Sequence, residues 1–222
     1  MIRLAKPGFV KLDFAKIESR IAFLLRLGRE DRAAQMVEFA VALPLLVVFV
    51  VGIFDFSGAF TLRQKLTNLA RDTARAVASD PSGDITTPGA GLMPASINDG
   101  FQIVQNYLMQ NHLSTCGMDP AFAVVGPQLT NWTFTGTNGS CPPGGIKLDI
   151  NRGYYLPQNA TALPSLTCAP QPPVSGQVTL IATCVTIQYA YQWRFGKVAS
   201  LFGSTTTLPT VITATAVALN ED

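Results

Sequence analysis

One histidine (His112) and four cysteines (Cys116, Cys141, Cys168, Cys184) are the scarcest reactive residues in this chain of 222. Neither set is spaced for catalysis or metal binding. A zinc site wants cysteines two to four residues apart, and no two here are that close. A Ser-His-Asp set would have to use His112, at the end of a predicted helix with no motif around it. Gly-x-Ser-x-Gly, His-Glu-x-x-His, a phosphate loop and Gly-x-Gly-x-x-Gly are all missing from the sequence. No enzyme, cofactor or metal is therefore expected. The cysteines form an even set after position 115, which reads as two disulfides in an oxidising compartment. Of the three pairings, Cys116–Cys141 with Cys168–Cys184 is favoured, because short loops close easily. The other notable group is Glu38, a carboxylate inside an apolar run. At a bilayer centre a charged side chain costs at least about 2.5 kcal/mol. It is either an acid snorkelling to the interface or a carboxylate awaiting a positive partner.

The element that positions Glu38 is the stretch Met36–Phe54, MVEFAVALPLLVVFVVGIF, with one charge in 19 residues. As a helix it would be about 28 Å long, close to the ~30 Å hydrocarbon core of a bilayer. Pro44 removes one backbone hydrogen bond within it, which predicts a kink or loosening about one turn back. Residues 1–35 hold eight basic residues against four acids, and the rest of the chain holds eight against ten. The basic excess precedes the span, so the N-terminus is expected in the cytoplasm and residues 61–222 outside. A cleaved signal peptide fits poorly, since the basic lead is long and no small-x-small site directly follows the apolar run. A net charge of +2 gives no support to nucleic-acid binding. With 48% hydrophobic and 14% charged residues the chain is not disordered.

Beyond the span, Leu62, Leu66, Leu69 and Val77 share one face at the helical period, with Ala70, Ala74 and Ala78 alongside. One helix is expected from about 35 to 79, with Asp72 and Arg75 on its solvent side. The stripe suits an amphipathic stalk or a plain core face, and both readings stay open. The loop 80–95 holds Asp80-Pro81-Ser82-Gly83-Asp84, which is similar to the Asp-x-Ser-x-Ser start of a metal-dependent adhesion site. Its last serine is replaced by Asp84, and no long apolar strand precedes it, so no metal is assigned. A second helix is expected at 96–113, from Ile97, Phe101, Val104 and Leu108, with Ser96 and Asp99 as a capping box. Strands are expected at 121–126, 130–135, 145–150, 177–193 and 206–219, with Pro209 making the last an edge or shortening it. Trp132, Phe134, Tyr154, Tyr155, Tyr189, Tyr191 and Trp193 are either core and rim residues of this sheet or an aromatic binding surface.

The run Ala34-Gln35-Met36-Val37-Glu38-Phe39-Ala40-Val41-Ala42-Leu43-Pro44, followed by Arg63-Gln64-Lys65 through Ala78, resembles TadE/TadF-like pseudopilins over about residues 29–80. These are minor pilins of the tight-adherence (Tad/Flp) pilus and secretion machinery. The resemblance implies cutting by a prepilin peptidase after Ala33, where family members more often carry Gly, so that Ala34 becomes the N-terminus. It further implies that Glu38 pairs with the N-terminal amine of a neighbouring subunit. Phe39 and Pro44 then belong to the packing surface of the assembly helix.

The expected fold is α+β: a single N-terminal transmembrane helix running into an amphipathic stalk helix, then a pilin-like domain with a second helix and a mainly antiparallel sheet. Its divisions are a basic cytoplasmic leader (1–33), a transmembrane helix (34–58), a stalk (59–80) and an extracytoplasmic domain with two disulfides (81–222). The expected role is a structural pseudopilin in a bacterial inner membrane. Its expected partners are other pilins, the prepilin peptidase and the Tad inner-membrane platform, with no nucleic acid. The alternative is a single-pass adhesin or scaffolding module that never enters a filament.

Overall fold

A computed structural model describes residues 31–81, 93–125, 130–139, 141–157, 168–169, 179–193 and 209–221. The first helix, α1 (Asp31–Ser79), is 49 residues long and carries Pro44 inside it. The second, α2 (Ala95–Gln110), is followed by a one-turn 3₁₀ helix, Pro120–Phe122. Five strands follow: β1 (Val124–Val125), β2 (Asn131–Gly136), β3 (Ile146–Pro157), β4 (Thr179–Ala190) and β5 (Val211–Leu219). Each pairs antiparallel with the next, in the order β1-β2-β3-β4-β5. The protein is thus α+β, with a long N-terminal apolar helix, a second helix and an antiparallel five-stranded sheet. The chain divides into two units, Met1–Val51 and Gly52–Asp222.

The core of the second unit follows from two periodicities. On α1 the stripe Leu62, Leu66, Leu69, Ala70, Ala74 and Val77 is buried, while Asp72 and Arg75 are exposed. On α2 the buried positions are Ile97, Phe101, Val104 and Leu108. These helical faces join one face of the sheet in a single apolar cluster. The sheet contributes aligned rows: Phe134–Leu148–Ile187–Ala214 and Trp132–Ile150–Val185–Ala216. Such same-face rows are the stabilising unit of an antiparallel sheet. Phe101 of α2 stacks on Phe134 of β2 with ring centroids 4.9 Å apart. The α1 stripe is therefore a core face along these residues.

β3 changes faces midway. Asn151 pairs with Cys184 and Tyr154 with Ala182, so β3 carries one residue more than β4 between these pairs. A one-residue bulge turns every later side chain to the opposite face. Tyr154 leaves the main core and packs with Cys168, Ala182 and Cys184 in a second small cluster.

Several boundaries depart from the sequence reading. Of the strand expected at 121–126, the described residues 121–125 form the end of a 3₁₀ turn and the two-residue β1, and 126 lies outside the described residues. The Asp119 carboxylate accepts the Ala121 N–H (2.8 Å) and Pro120 presets a turn, so the chain bends where β-branched character alone suggested extension. The capping box at Ser96 is not formed. The helix starts at Ala95 behind Pro94, whose carbonyl accepts the Asn98 N–H (3.0 Å), so Ser96 is buried inside the first turn. That helix also stops at Gln110, short of 113, and His112 follows in a left-handed conformation (φ 55°). The strand expected at 145–150 continues through the bulge to Pro157, and that expected at 177–193 ends at Ala190. The last strand begins after Pro209 and lies at the sheet edge. The leader up to residue 30 and Ser82 and Asp84 of the loop after α1 lie outside the described residues.

Candidate membrane and assembly site

Among the described residues, the N-terminal part of α1 exposes nearly every side chain along 34–50. Its most apolar stretch has a mean hydropathy of 2.6 and is 6% buried, which makes it long and apolar enough to cross a membrane. Met36, Val37, Phe39, Val41, Leu45, Leu46, Phe49 and Ile53 are all exposed. Exposed apolar side chains on this scale mark a surface that something else covers, and backbone hydrogen bonds satisfied within the helix let it enter lipid.

Ala33, Ala34, Glu38, Phe39 and Pro44 are all carried by this one helix, which brings them into one short segment. Glu38 is exposed, and the residues three and four positions away (Ala34, Gln35, Val41, Ala42) carry no charge. Helix neighbours at those spacings are the ones best placed to pair with it, so α1 places no cation at those positions. Phe39, 66% exposed, stands next to it. Pro44 has no N–H to donate back along the helix, yet α1 runs through it unbroken.

The cysteines lie in the second unit, on opposite faces of the sheet. Cys116 and Cys141 are bonded (Cα–Cα 5.5 Å) and fasten the segment after α2 to the β2–β3 connection. Cys116 has a φ of 55°, and its carbonyl accepts the Asn138 N–H at 2.8 Å. Cys168 and Cys184 are bonded (Cα–Cα 5.4 Å) within the smaller cluster. Of the aromatic set, Trp132, Phe134, Tyr154 and Tyr189 are buried, and Tyr155, Tyr191 and Trp193 are partly exposed at the rim. Burial pushes the Tyr154 hydroxyl above its ordinary pKa of 10.0. Burial also raises Tyr189, whose hydroxyl donates to the Ser114 carbonyl (3.2 Å). Among the described residues no group of three or more His, Cys, Asp or Glu is placed to hold a metal ion.

One determinant was missed in the sequence, the bulge Asn151-Arg152-Gly153. Arg152 is 1% exposed, and its guanidinium donates to the Asp80 carbonyl (2.6 Å) and the Pro81 carbonyl (3.4 Å), just past the end of α1. A helix C-terminus leaves carbonyls unsatisfied and carries partial negative charge, so a cation there is favourable. The Glu221 N–H reaches the same helix end, donating to the Ala78 carbonyl (3.1 Å). Asn151 donates to the Cys168 carbonyl (3.1 Å), and its side-chain oxygen accepts the Gly153 N–H (3.0 Å). A Cβ at Gly153 would come within 2.6 Å of Thr130 Oγ1, so the bulge requires glycine for space. A glycine inside a strand pattern is the signal that could have revealed it.

No curated protein and no solved structure matches the chain. Residues 33–75 match the family model described as TadE-like protein. The apolar part of α1 with Glu38, together with most of the stripe that packs into the core, is therefore a TadE-like segment.

Proposed function

We propose that this protein is a structural minor pseudopilin of a Tad-type pilus, anchored in the inner membrane by residues 34–58. The observation that carries this reading is the coincidence of the TadE-like match with an exposed apolar stretch, 36–54, whose one acid, Glu38, has no cation three or four positions away. Its role is structural, not catalytic. The basic leader 1–33 stays in the cytoplasm by the positive-inside rule, and residues 59–222 lie outside, with 59–80 leading into the extracytoplasmic domain. A prepilin peptidase cuts after Ala33 and frees the amine of Ala34. That amine, on one subunit, pairs with Glu38 of the next. In low dielectric the two charges attract strongly and each offsets the burial of the other, so the pair sets register between packed helices. Phe39 and the apolar residues around Pro44 form the lateral packing surface towards other pilins and the inner-membrane platform.

Replacement of Glu38 tests this assignment. Glu38→Gln and Glu38→Ala are expected to leave the protein in the membrane but to lower its recovery in sheared pilus fractions at least about tenfold, the scale of a lost charge pair of ~1.4 kcal/mol or more. Normal incorporation of both variants would refute the assembly role. It would favour a permanent single-pass anchor carrying an adhesive or scaffolding domain.

A further inference from the structure

Within the second unit, α1 and the ends of β4 and β5 enclose an open groove of about 780 Å³. Phe56, Phe60 and Arg63 line it from α1, and Trp193 beyond β4, Pro209 before β5 and Val211 at the start of β5 line it from the other side. Its geometry is fixed. Trp193 packs on Phe56 (centroids 5.2 Å) and edge-on to Tyr191 (4.9 Å). The Trp193 indole N–H donates to the Pro209 carbonyl at 2.6 Å. The Tyr191 hydroxyl lies 3.0 Å from the Asp55 carbonyl oxygen and 3.1 Å from its Oδ1, which holds this end of β4 against α1. Gly58 leaves room for that hydroxyl, since a Cβ there would sit 2.9 Å from it. Phe56 and Phe60 are nonetheless more than half exposed.

Length says what covers them. A helical bilayer crossing takes about 20 residues, so a span that starts at Met36 is used up near Phe56. The aromatic cluster then falls where hydrocarbon gives way to headgroups, the level at which Trp and Tyr rings are favoured. Arg63 and Lys65 follow Phe56 within three turns and are the first basic residues after Arg32, with Arg63 at the depth of lipid phosphates. The exposed apolar surface is also continuous along α1, from Ile53 and Phe54 to Phe56 and Phe60.

We propose that this groove is a membrane foot. Phe56, Phe60 and Trp193 seat in the outer-leaflet interface of the phospholipid bilayer, with Arg63 at the phosphates, and the end of β4 thereby rests on the membrane. The proposal relies on the reading that residues 34–58 span the membrane, and its test separates the two. The sequence contains two tryptophans, so Trp132→Phe in the full chain leaves Trp193 as the only one. The protein is placed in vesicles of phosphatidylethanolamine and phosphatidylglycerol carrying bromine either near the headgroup or at the chain ends. Trp193 emission is expected to fall at least about twofold with shallow bromine and less with deep bromine, as for interfacial indoles. The difference between wild type and Trp193→Phe gives the same quantity without altering Trp132. A control replaces both tryptophans by Phe and introduces Phe49→Trp, which deep bromine is expected to quench. If the control is quenched and Trp193 is untouched by either lipid, the foot is refuted and the anchor stands, the groove then serving a protein partner or open water. If the control is not quenched, the spanning reading fails and the foot with it.

Discussion

Arg152 links distant parts of the chain. It joins a bulge in β3 to the end of a helix 72 positions earlier, and its own carbonyl accepts the Asn220 side-chain amide at 3.1 Å. Truncation would remove the guanidinium from the part-buried carbonyls beyond α1 and open a hole at the bulge. Arg152→Ala is therefore expected to destabilise the protein by about 3 kcal/mol, measured by denaturant unfolding in detergent, and Arg152→Lys by clearly less. Tyr154 and Tyr189 set a pH dependence. Their folded-state pKa values are raised above the ordinary 10.0, so the folded protein holds its phenolic protons more tightly than the unfolded chain. Their contribution is fully present below pH 10 and is lost as pH rises through the folded values. The melting temperature is expected to fall above pH 10, and Tyr154→Phe with Tyr189→Phe to flatten that fall. The sequence displays Asn-Arg-Gly plainly, but the partners of Arg152 at Asp80 and Pro81 are a tertiary fact that no local pattern carries.

Elements were legible where periodicity was strong and obscure where single residues decided a boundary. The stripe Leu62, Leu66, Leu69 and Val77 and the stripe Ile97, Phe101, Val104 and Leu108 are each visible as a helical repeat, and both are buried. The strand at 121–126 was misread because β-propensity reflects a pleated, half-buried environment, which a chain bent at Asp119-Pro120 does not enter there. β3 was cut short at 150 because Arg152 and Gly153 look like a strand end; the bulge lets pairing resume at Tyr154. Close packing of the two helices rests on Gly100. A Cβ there would lie 2.6 Å from Val77 Cγ2 and 3.0 Å from Ile150 Cδ1. Gly100→Ala forgoes its usual gain in helix propensity and is expected to cost about 1–3 kcal/mol through overpacking. An unfolding midpoint equal to or above that of the wild type would show that the interface can yield.

Taken as a whole, the chain joins a TadE-like segment with an exposed apolar helix to an α+β unit closed by two disulfides. The apolar run and the resemblance it carries were readable directly, because a bilayer imposes length and hydrophobicity on sequence with little help from tertiary structure. The proposed processing at Ala33 would rest on recognition by a peptidase, which contacts among the described residues do not express. The central claim is that this helix is a pilin-type assembly element, and the N-terminus of the mature protein tests it most directly. Intact mass and N-terminal sequencing of the protein isolated from its native membrane should find a chain that begins at Ala34. A chain that retains residues 1–33 would contradict the pseudopilin account and leave a permanent membrane anchor in its place.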